Sequence, residues 1–375
     1  MASQTIYTYA DTTAHRQVIT DVISLIDPYD TPMIEALGGL DGAASKFRFV
    51  NNAGYKVEWL EDTLPSLSGS LGAAITSTTA TSVDVATGTG VNYKPGDIIL
   101  IDSEGLYVSS VSTDTLTVTR GFIGTAATHA STATVEFVGQ ARLEGADSDG
   151  RAVTDITSDY NYTQIMSEEV KVSGTYLAVP QYGIADELEY QSRKMVPHLM
   201  RLIEKNLFRS TRTLSTTLRS AGGLDYFITA STAYNGVSST SVTETAIQNA
   251  TKAAFLDGGQ GPWIVPVSPN NQATIAGLYN NSSYLRVDRT EDTIGMNIGT
   301  YVGPFGTARF VLDRWARNDR LFFVDPQHAG LLTLRPFQTE GLAKTGDSVR
   351  QMVLTEYTFC IRQANKAHAV VFGIT

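Results

Sequence analysis

The stretch Asn161-Tyr-Thr-Gln-Ile-Met-Ser-Glu-Glu-Val-Lys-Val-Ser-Gly-Thr175, with the segment after it, decides the fold. Asn161 to Ile165 and Val170-Lys-Val172 read as extended chain, and beyond them the apolar period changes from two to about 3.6. Ile184, Leu188, Met195, Leu199, Leu202 and Ile203 form a stripe at helical spacing on a segment reaching about Leu218. Asp186, Glu187 and Glu189 occupy its first turns and Arg209 and Arg212 its end, which suits the helix dipole. Pro197 interrupts the stripe and predicts a kink or a break.

Upstream, Lys46-Phe-Arg-Phe49 and Tyr55-Lys-Val-Glu-Trp59 alternate around the turn Asn51-Asn-Ala-Gly54, which predicts a hairpin with Phe47 and Phe49 on one face and Lys46 and Arg48 on the other. Residues 66–139 then shift to Ser, Thr, Gly, Ala and Val, with short strands predicted at 82–86, 97–102, 106–111, 116–120 and 132–138. Lys94-Pro-Gly-Asp97 and Ser112-Thr-Asp114 supply turns. This is a small all-β module of a size that folds alone. Extended sequence resumes after it, so the module reads as an insertion, and Asn161 to Ile165 and Val170 to Val172 are expected to pair back with the hairpin at Lys46. Nearer the start, Val18, Ile19, Val22, Ile23 and Ile26 predict a short amphipathic helix that stops at Asp27-Pro28.

Downstream, helix and strand alternate. Thr243 to Phe255 and Pro269 to Tyr279 read as helices; Trp263-Ile-Val-Pro-Val267, Ala308 to Leu312 and Arg320 to Val324 read as strands, giving an α/β domain. Met352 to Ile361 and Ala367 to Ile374 return to a β pattern.

Composition narrows the function classes. Of 375 residues 42% are hydrophobic and 18% charged, which fits a folded globular chain. A formal net charge of -10 argues against a protein whose main task is gripping phosphates. The long helix departs from this balance, with seven Lys or Arg against four Asp or Glu between Ile184 and Arg219. That excess reads either as an ordinary solvated face with pairs such as Glu189 and Arg193, or as a surface carrying Arg201, Lys205 and Arg209 that meets packed nucleic acid loosely through phosphates. No segment runs apolar for roughly 18 residues, and the start of the chain has neither a basic leader nor an apolar stretch, so a protein with no membrane partner is expected.

The motifs of catalysis do not assemble. His15, His129, His198, His328 and His368 are scattered, with no spacing that would put two metal ligands on one element. Cys360 lies in the apolar run Tyr357-Thr-Phe-Cys-Ile361 and reads as a buried structural thiol. In Gly341-Leu-Ala-Lys-Thr-Gly-Asp-Ser348 the lysine precedes the final glycine, the wrong order for a phosphate loop, so a turn before a strand is expected. Gly258-Gly-Gln-Gly261 follows a helix and precedes a strand, the reverse of a dinucleotide fingerprint, and reads as a helix stop. The expectation is a chain that is not an enzyme, with no catalytic residues, no metal site and no cofactor.

The order of parts resembles the major capsid proteins of tailed bacteriophages, and within them the group similar to the major head protein of phage SU10. The matching stretches are Asp27-Pro-Tyr-Asp-Thr-Pro32, Trp59-Leu-Glu-Asp-Thr-Leu64, Asn161-Tyr-Thr-Gln-Ile165 leading to Val172-Ser-Gly-Thr175, Gly346-Asp-Ser348, Glu356-Tyr-Thr358 and Ala367-His-Ala369. The resemblance implies an α+β, HK97-like capsid fold with a small all-β insertion in its extended loop. Its parts would be an N-terminal arm with a short helix (1–40), the extended loop (41–172) containing the module (66–139), a peripheral domain (173–235) with a spine helix (184–218), an axial α/β domain (236–330), and strands returning to the peripheral domain (331–375).

It further implies a self-assembling subunit of hexamers and pentamers in an icosahedral virion head around double-stranded DNA, assembled in the host cytoplasm with scaffold, portal and decoration proteins as partners. The alternative within the fold is an encapsulin-like nanocompartment shell. Lys46, Arg48, Phe47, Phe49 and Trp59 are the expected contacts between copies, since a hairpin projecting apolar side chains needs a partner to cover them. Lys46 and Lys56 lie on the loop, but no acceptor motif for a crosslink accompanies them.

Overall fold

The computed structural model describes residues 30–39, 54–145, 147, 155–179, 186–232, 235–280 and 299–375. They fall into two compact units, one built from the described residues of Met1–Trp59 and Asp159–Thr375 and the other from Leu60–Ser158. The predicted helix over 18–26, the hairpin strand at Lys46 to Phe49 and the turn after it lie outside the described residues.

In the larger unit the decisive stretch is the strand Gln164–Ser173, at the edge of an antiparallel sheet ordered Ala329–Gly341, Ser348–Ile361, Gln164–Ser173. Val170 and Val172 face Gln351 and Val349 across the ladder. The expected pairing with the hairpin at Lys46 is therefore corrected for Val170 to Val172, and for Gln164 and Ile165, which pair with Tyr357 and Glu356. The limb that does pair with that hairpin's second strand is Thr157–Tyr162, against Lys56–Glu61. Asn161 marks the switch between the two ladders. Buried completely, it donates from Nδ2 to the carbonyls of Gly222 (2.9 Å) and Phe359 (2.8 Å) and accepts at Oδ1 from the N–H groups of Gly222 (2.8 Å) and Tyr162 (2.9 Å). All four positions of the amide are used, so this side chain specifies the crossing.

The long helix is Glu187–Arg209. Asp186 caps it by accepting from Leu188 and Glu189 N–H, and Pro197 sits inside without breaking it. Leu199, Ile203, Leu207 and Phe208 are buried, while Leu188, Met195 and Leu202 are half-buried. The expected run to Leu218 is corrected. After Ser210 the chain forms the hairpin Thr213–Ser215 and Leu218–Ser220, because Ser and Thr dominate this stretch and favour extended chain over helix.

The α/β part centres on a wall of strands with a core on either side. Trp263–Val267 runs parallel to Gly306–Leu312, which pairs antiparallel with Thr300–Gly303. Arg320–Phe323 and Gly236–Ser238 flank Ala369–Phe372, and reciprocal hydrogen bonds between Ile264 and Val324 (2.8 and 2.9 Å) join the two sheets. Trp263, Val265, Val267, Leu321, Phe323, Ala369 and Val371 face a core shared with the helix Glu244–Leu256. Ile264, Phe322, Val324 and Val370 face the other core, with Ile203, Leu207 and Phe208 of the long helix. Strands covered on both faces are continuous apolar runs, as these are. The last strand, Ala369–Phe372, lies in this wall between Gly236–Ser238 and Arg320–Phe323, with Val370 toward one core and Ala369 and Val371 toward the other. Helix Glu244–Leu256 stops at Gly258, whose φ of +101° suits the predicted stop.

The segment Thr31–Leu37, with the short helix Pro32–Ala36, buries Met33, Ile34 and Leu37 in the long-helix core. Its first free amides, Met33 and Ile34 N–H, donate to Oε1 (2.7 Å) and Oε2 (2.9 Å) of Glu204 on the long helix.

The second unit is one six-stranded antiparallel sheet ordered Ser68–Ser70, Thr134–Gln140, Asp97–Ile101, Glu104–Ser112, Thr115–Ile123, Ser82–Asp84. Leu71, Val83, Ile99, Ile101, Leu106, Val108, Leu116 and Val135 form its core. At the turn Lys94 to Asp97, Lys94 N–H donates to Asp97 Oδ2 (3.0 Å), and at the turn after Ser112, Thr113 takes φ +55°.

Candidate assembly and nucleic-acid interfaces

The residues expected at surfaces divide three ways. Lys46, Phe47, Arg48 and Phe49 lie outside the described residues. Trp59, expected between copies, is corrected: it is 4% exposed, belongs to the long-helix core and packs on Phe227 with ring centroids 5.7 Å apart. Its strand alternates as expected, but the face that carries Trp59 is covered within its own unit. Lys56 ion-pairs with Glu58 (3.0 Å) and stands 4.1 Å from the Tyr160 ring centre. The hydrogen bond that Lys56 donates to Glu58 raises the Lys56 pKa, which keeps the amine protonated and a poor nucleophile.

Arg201, Lys205 and Arg209 follow one another at a spacing of four on the long helix, so they line one face. Lys205 and Arg209 are exposed; Arg201 is half-buried and its Nη2 lies 2.8 Å from His198 Nδ1. The pair Glu189 and Arg193 forms as expected, at 2.5 Å.

Several charged groups among the described residues serve the fold. Glu356, 4% exposed, accepts from Arg219 (2.5 Å), Arg335 (2.8 Å) and the Thr163 hydroxyl (2.7 Å). Burial pushes its pKa up, yet these donors together hold it below the ordinary range. Arg317 and Arg320 both bind Asp225 and Asp319, tying the short helix Leu224–Phe227 to the wall. In the second unit Glu104, fully buried, takes hydrogen bonds from Arg120 Nε (2.8 Å) and Nη2 (2.7 Å), from Gly121 and Ala127 N–H, and meets His129 Nε2 at 2.9 Å. His129 Nδ1 lies 2.8 Å from Asp102. Burial alone would raise the Glu104 pKa; the Arg120 guanidinium and the other donors hold it far below the usual range.

His368, also fully buried, accepts at Nδ1 from Asp325 N–H (3.0 Å), and its Nε2 lies 3.2 Å from the Arg362 carbonyl. Burial pushes its pKa down to about 4, so it stays neutral and structural. Cys360 is buried as expected. Among the described residues no three His, Cys, Asp or Glu side chains are grouped to hold a metal ion, and no helix is long and apolar enough to cross a membrane.

Pattern reading missed a set of exposed apolar side chains. Leu64 (92% exposed), Leu143 and Ile156 lie in the second unit, and Leu256 and Val302 in the wall region. In the second unit their signal is an apolar residue in a polar setting, such as Leu143 between Arg142 and Glu144.

A family model described as SU10 major capsid protein matches residues 6–375. No curated protein matches the chain. Among solved structures the chain is similar to a subunit of the cyanophage A-1(L) capsid asymmetric unit, at 9% identity, a TM-score of 0.63 and coverage of 99% of this chain and 100% of that one. It is also similar to the capsid of a native GTA particle, at 6% identity, a TM-score of 0.56 and 98% coverage of both chains. A third likeness is to Mycobacterium phage Adephagia, at 9% identity, a TM-score of 0.51 and 98% coverage of both. At these identities the likeness concerns the fold, the HK97-like capsid fold with mixed helix and strand.

Proposed function

The chain belongs to the SU10 major capsid protein family, and from that premise we propose how its parts serve a phage head. As the major capsid protein of a tailed phage it assembles with copies of itself into the shell of the virion. In our reading the shell is icosahedral, made of hexamers and pentamers, closed around double-stranded DNA in the host cytoplasm, with scaffold, portal and decoration proteins as partners. The residues up to 40 serve as arm, 41–172 as extended loop, 173–235 with the sheet of Ala329–Gly341 and Ser348–Ile361 as peripheral domain, and 236–330 with the last strand as axial domain. The unit Leu60–Ser158 is an insertion in the extended loop; the supporting observation is the paired ladder of Lys56–Glu61 and Thr157–Tyr162, one strand at each end of it. Lys46, Arg48, Phe47 and Phe49 contact the next copy.

We read the Arg201, Lys205, Arg209 face as the surface toward packaged DNA. What carries this is the exposure of Lys205 and Arg209 on one face of a helix in a chain whose net charge is -10. Such a surface meets phosphates without reading bases, so it limits repulsion between shell and genome. Replacing Lys205 and Arg209 by Gln, with Arg201→Gln as a third change, is expected to leave shell assembly intact and to reduce the fraction of heads that retain a full genome. Particle density in a gradient separates full from empty heads. Normal filling in the triple variant would remove the genome-facing assignment and leave a solvated helix face.

A further inference from the structure

Charge is shared unequally between the two units. Between Leu60 and Ser158 four Lys or Arg stand against twelve Asp or Glu, so this unit carries -8 of the chain's net -10 and the remaining residues -2. Its sheet is also apolar on both faces. Ile99, Ile101, Leu106, Val108 and Val118 fill the core on one side. On the other, Leu100 stands opposite Gly105 and Gly105 opposite Ile123, while Ile98 stands opposite Tyr107. Gly105 suits this row, since a Cβ there would lie 2.7 Å from the Ile123 Cβ. Gly121, at φ +61°, lies in the register shift between Thr119 and Ile123, and Phe122 beside it stacks on Tyr107 with ring centroids 5.4 Å apart. Phe122 and Ile123 remain 47% and 48% exposed. An antiparallel sheet with one face in water alternates apolar and polar residues, and here that alternation is lost. Glu136, opposite Leu100 and exposed, sets a carboxylate beside the patch.

We propose, resting on the shell reading above, that this sheet face of Leu60–Ser158 docks a separate, basic protein on the phage head. Apolar contact at Tyr107, Phe122 and Ile123 would hold it, with attraction to the unit's carboxylates around them. An exposed apolar patch that includes aromatic rings marks an interface, and charge decides what fills it. DNA is repelled by a unit of net -8. The same unit of a second copy is repelled as well. The rest of the chain, at -2, is not cationic, and its basic helix face is read as turned to the genome. A different protein, with an apolar patch set among Lys and Arg, matches both the rings and the charge. Attraction between opposite surfaces speeds encounter and weakens as salt rises, so the contact is salt-sensitive.

The test is hydroxyl-radical footprinting of Tyr107 and Phe122 in the free subunit, in shells of the purified chain and in intact virions, with the buried Tyr93 as reference. Both rings are expected to be oxidised in the first two samples and protected in virions. A high-salt wash should restore their oxidation and release a protein with more Lys and Arg than Asp and Glu. Glu136→Lys should leave shells intact and lower the amount of that protein on virions by about tenfold. Protection already present in shells of the purified chain would overturn the proposal in favour of a second copy. Rings oxidised in virions, protection that salt does not lift, or a released protein that is not basic would overturn it outright. Failure of the purified chain to close shells would count against the shell reading alone, and virions compared with the free subunit would still decide the face.

Discussion

Trp263→Ala is expected to cost about 3–5 kcal/mol, the range for deleting a large aromatic from a packed core. Trp263 is fully buried at the start of the wall strand, among side chains from Glu244–Leu256 and the last strand. Its Nε1 donates to the Ala367 carbonyl (3.1 Å), which the substitution leaves unpaired. The surroundings are shaped for the ring: Gly306 takes φ +141°, and a Cβ there would lie 2.7 Å from Trp263 Cζ3. The backbone is thus held against the indole and cannot easily collapse into the space an alanine leaves. Trp59 and Trp315 remain in the same unit, so their fluorescence follows its denaturant unfolding in the unassembled subunit. A loss below about 1 kcal/mol would mean that the wall is not the shared support of both cores.

Arg120→Met is expected to cost a comparable amount, about 3–5 kcal/mol, in the other unit. Removing the guanidinium leaves Glu104 buried without its main counter-charge and withdraws the donors that the Ala127 and Ser77 carbonyls accept from. The unit Leu60–Ser158 contains no tryptophan, so its stability is read by hydrogen exchange in Asp97–Ile101 and Glu104–Ser112 while Trp fluorescence monitors the larger unit. Exchange should speed up there and fluorescence unfolding should stay unchanged. Adding Glu104→Gln to Arg120→Met should recover part of the loss, since the uncompensated charge is then gone. A double variant no better than Arg120→Met would show that lost packing, and not the stranded carboxylate, sets the cost.

The elements legible in sequence were those whose pattern is local. Trp263-Ile-Val-Pro-Val267 is apolar on both faces, and a run of that kind has few alternatives to a buried strand. The turns at Lys94 to Asp97 and after Ser112 carry their own chemistry and lie where residue type places them. Pairing across long separations was less legible. Val170-Lys-Val172 announces a strand but not its partner, and Val349 and Gln351 lie far away in sequence. Trp59 announces a face, not what covers that face, and Phe227 covers it from a distant helix. The strand Ser68–Ser70 has no apolar residue to signal it and exists because Thr134–Gln140 offers an edge. Glu204, adjacent to the buried Ile203, carries no signal of its own in sequence; its role depends on Met33 and Ile34, which no spacing connects to it. Of the candidate surfaces, the stripe of Arg201, Lys205 and Arg209 was legible because helical spacing is local.

The measurement that bears most directly on the central claim, a subunit made to close a shell with its own copies, is electron microscopy of the purified chain under assembly conditions of varied salt, pH and protein concentration. Closed shells of uniform size are the predicted result. A chain that stays monomeric in every condition would contradict it.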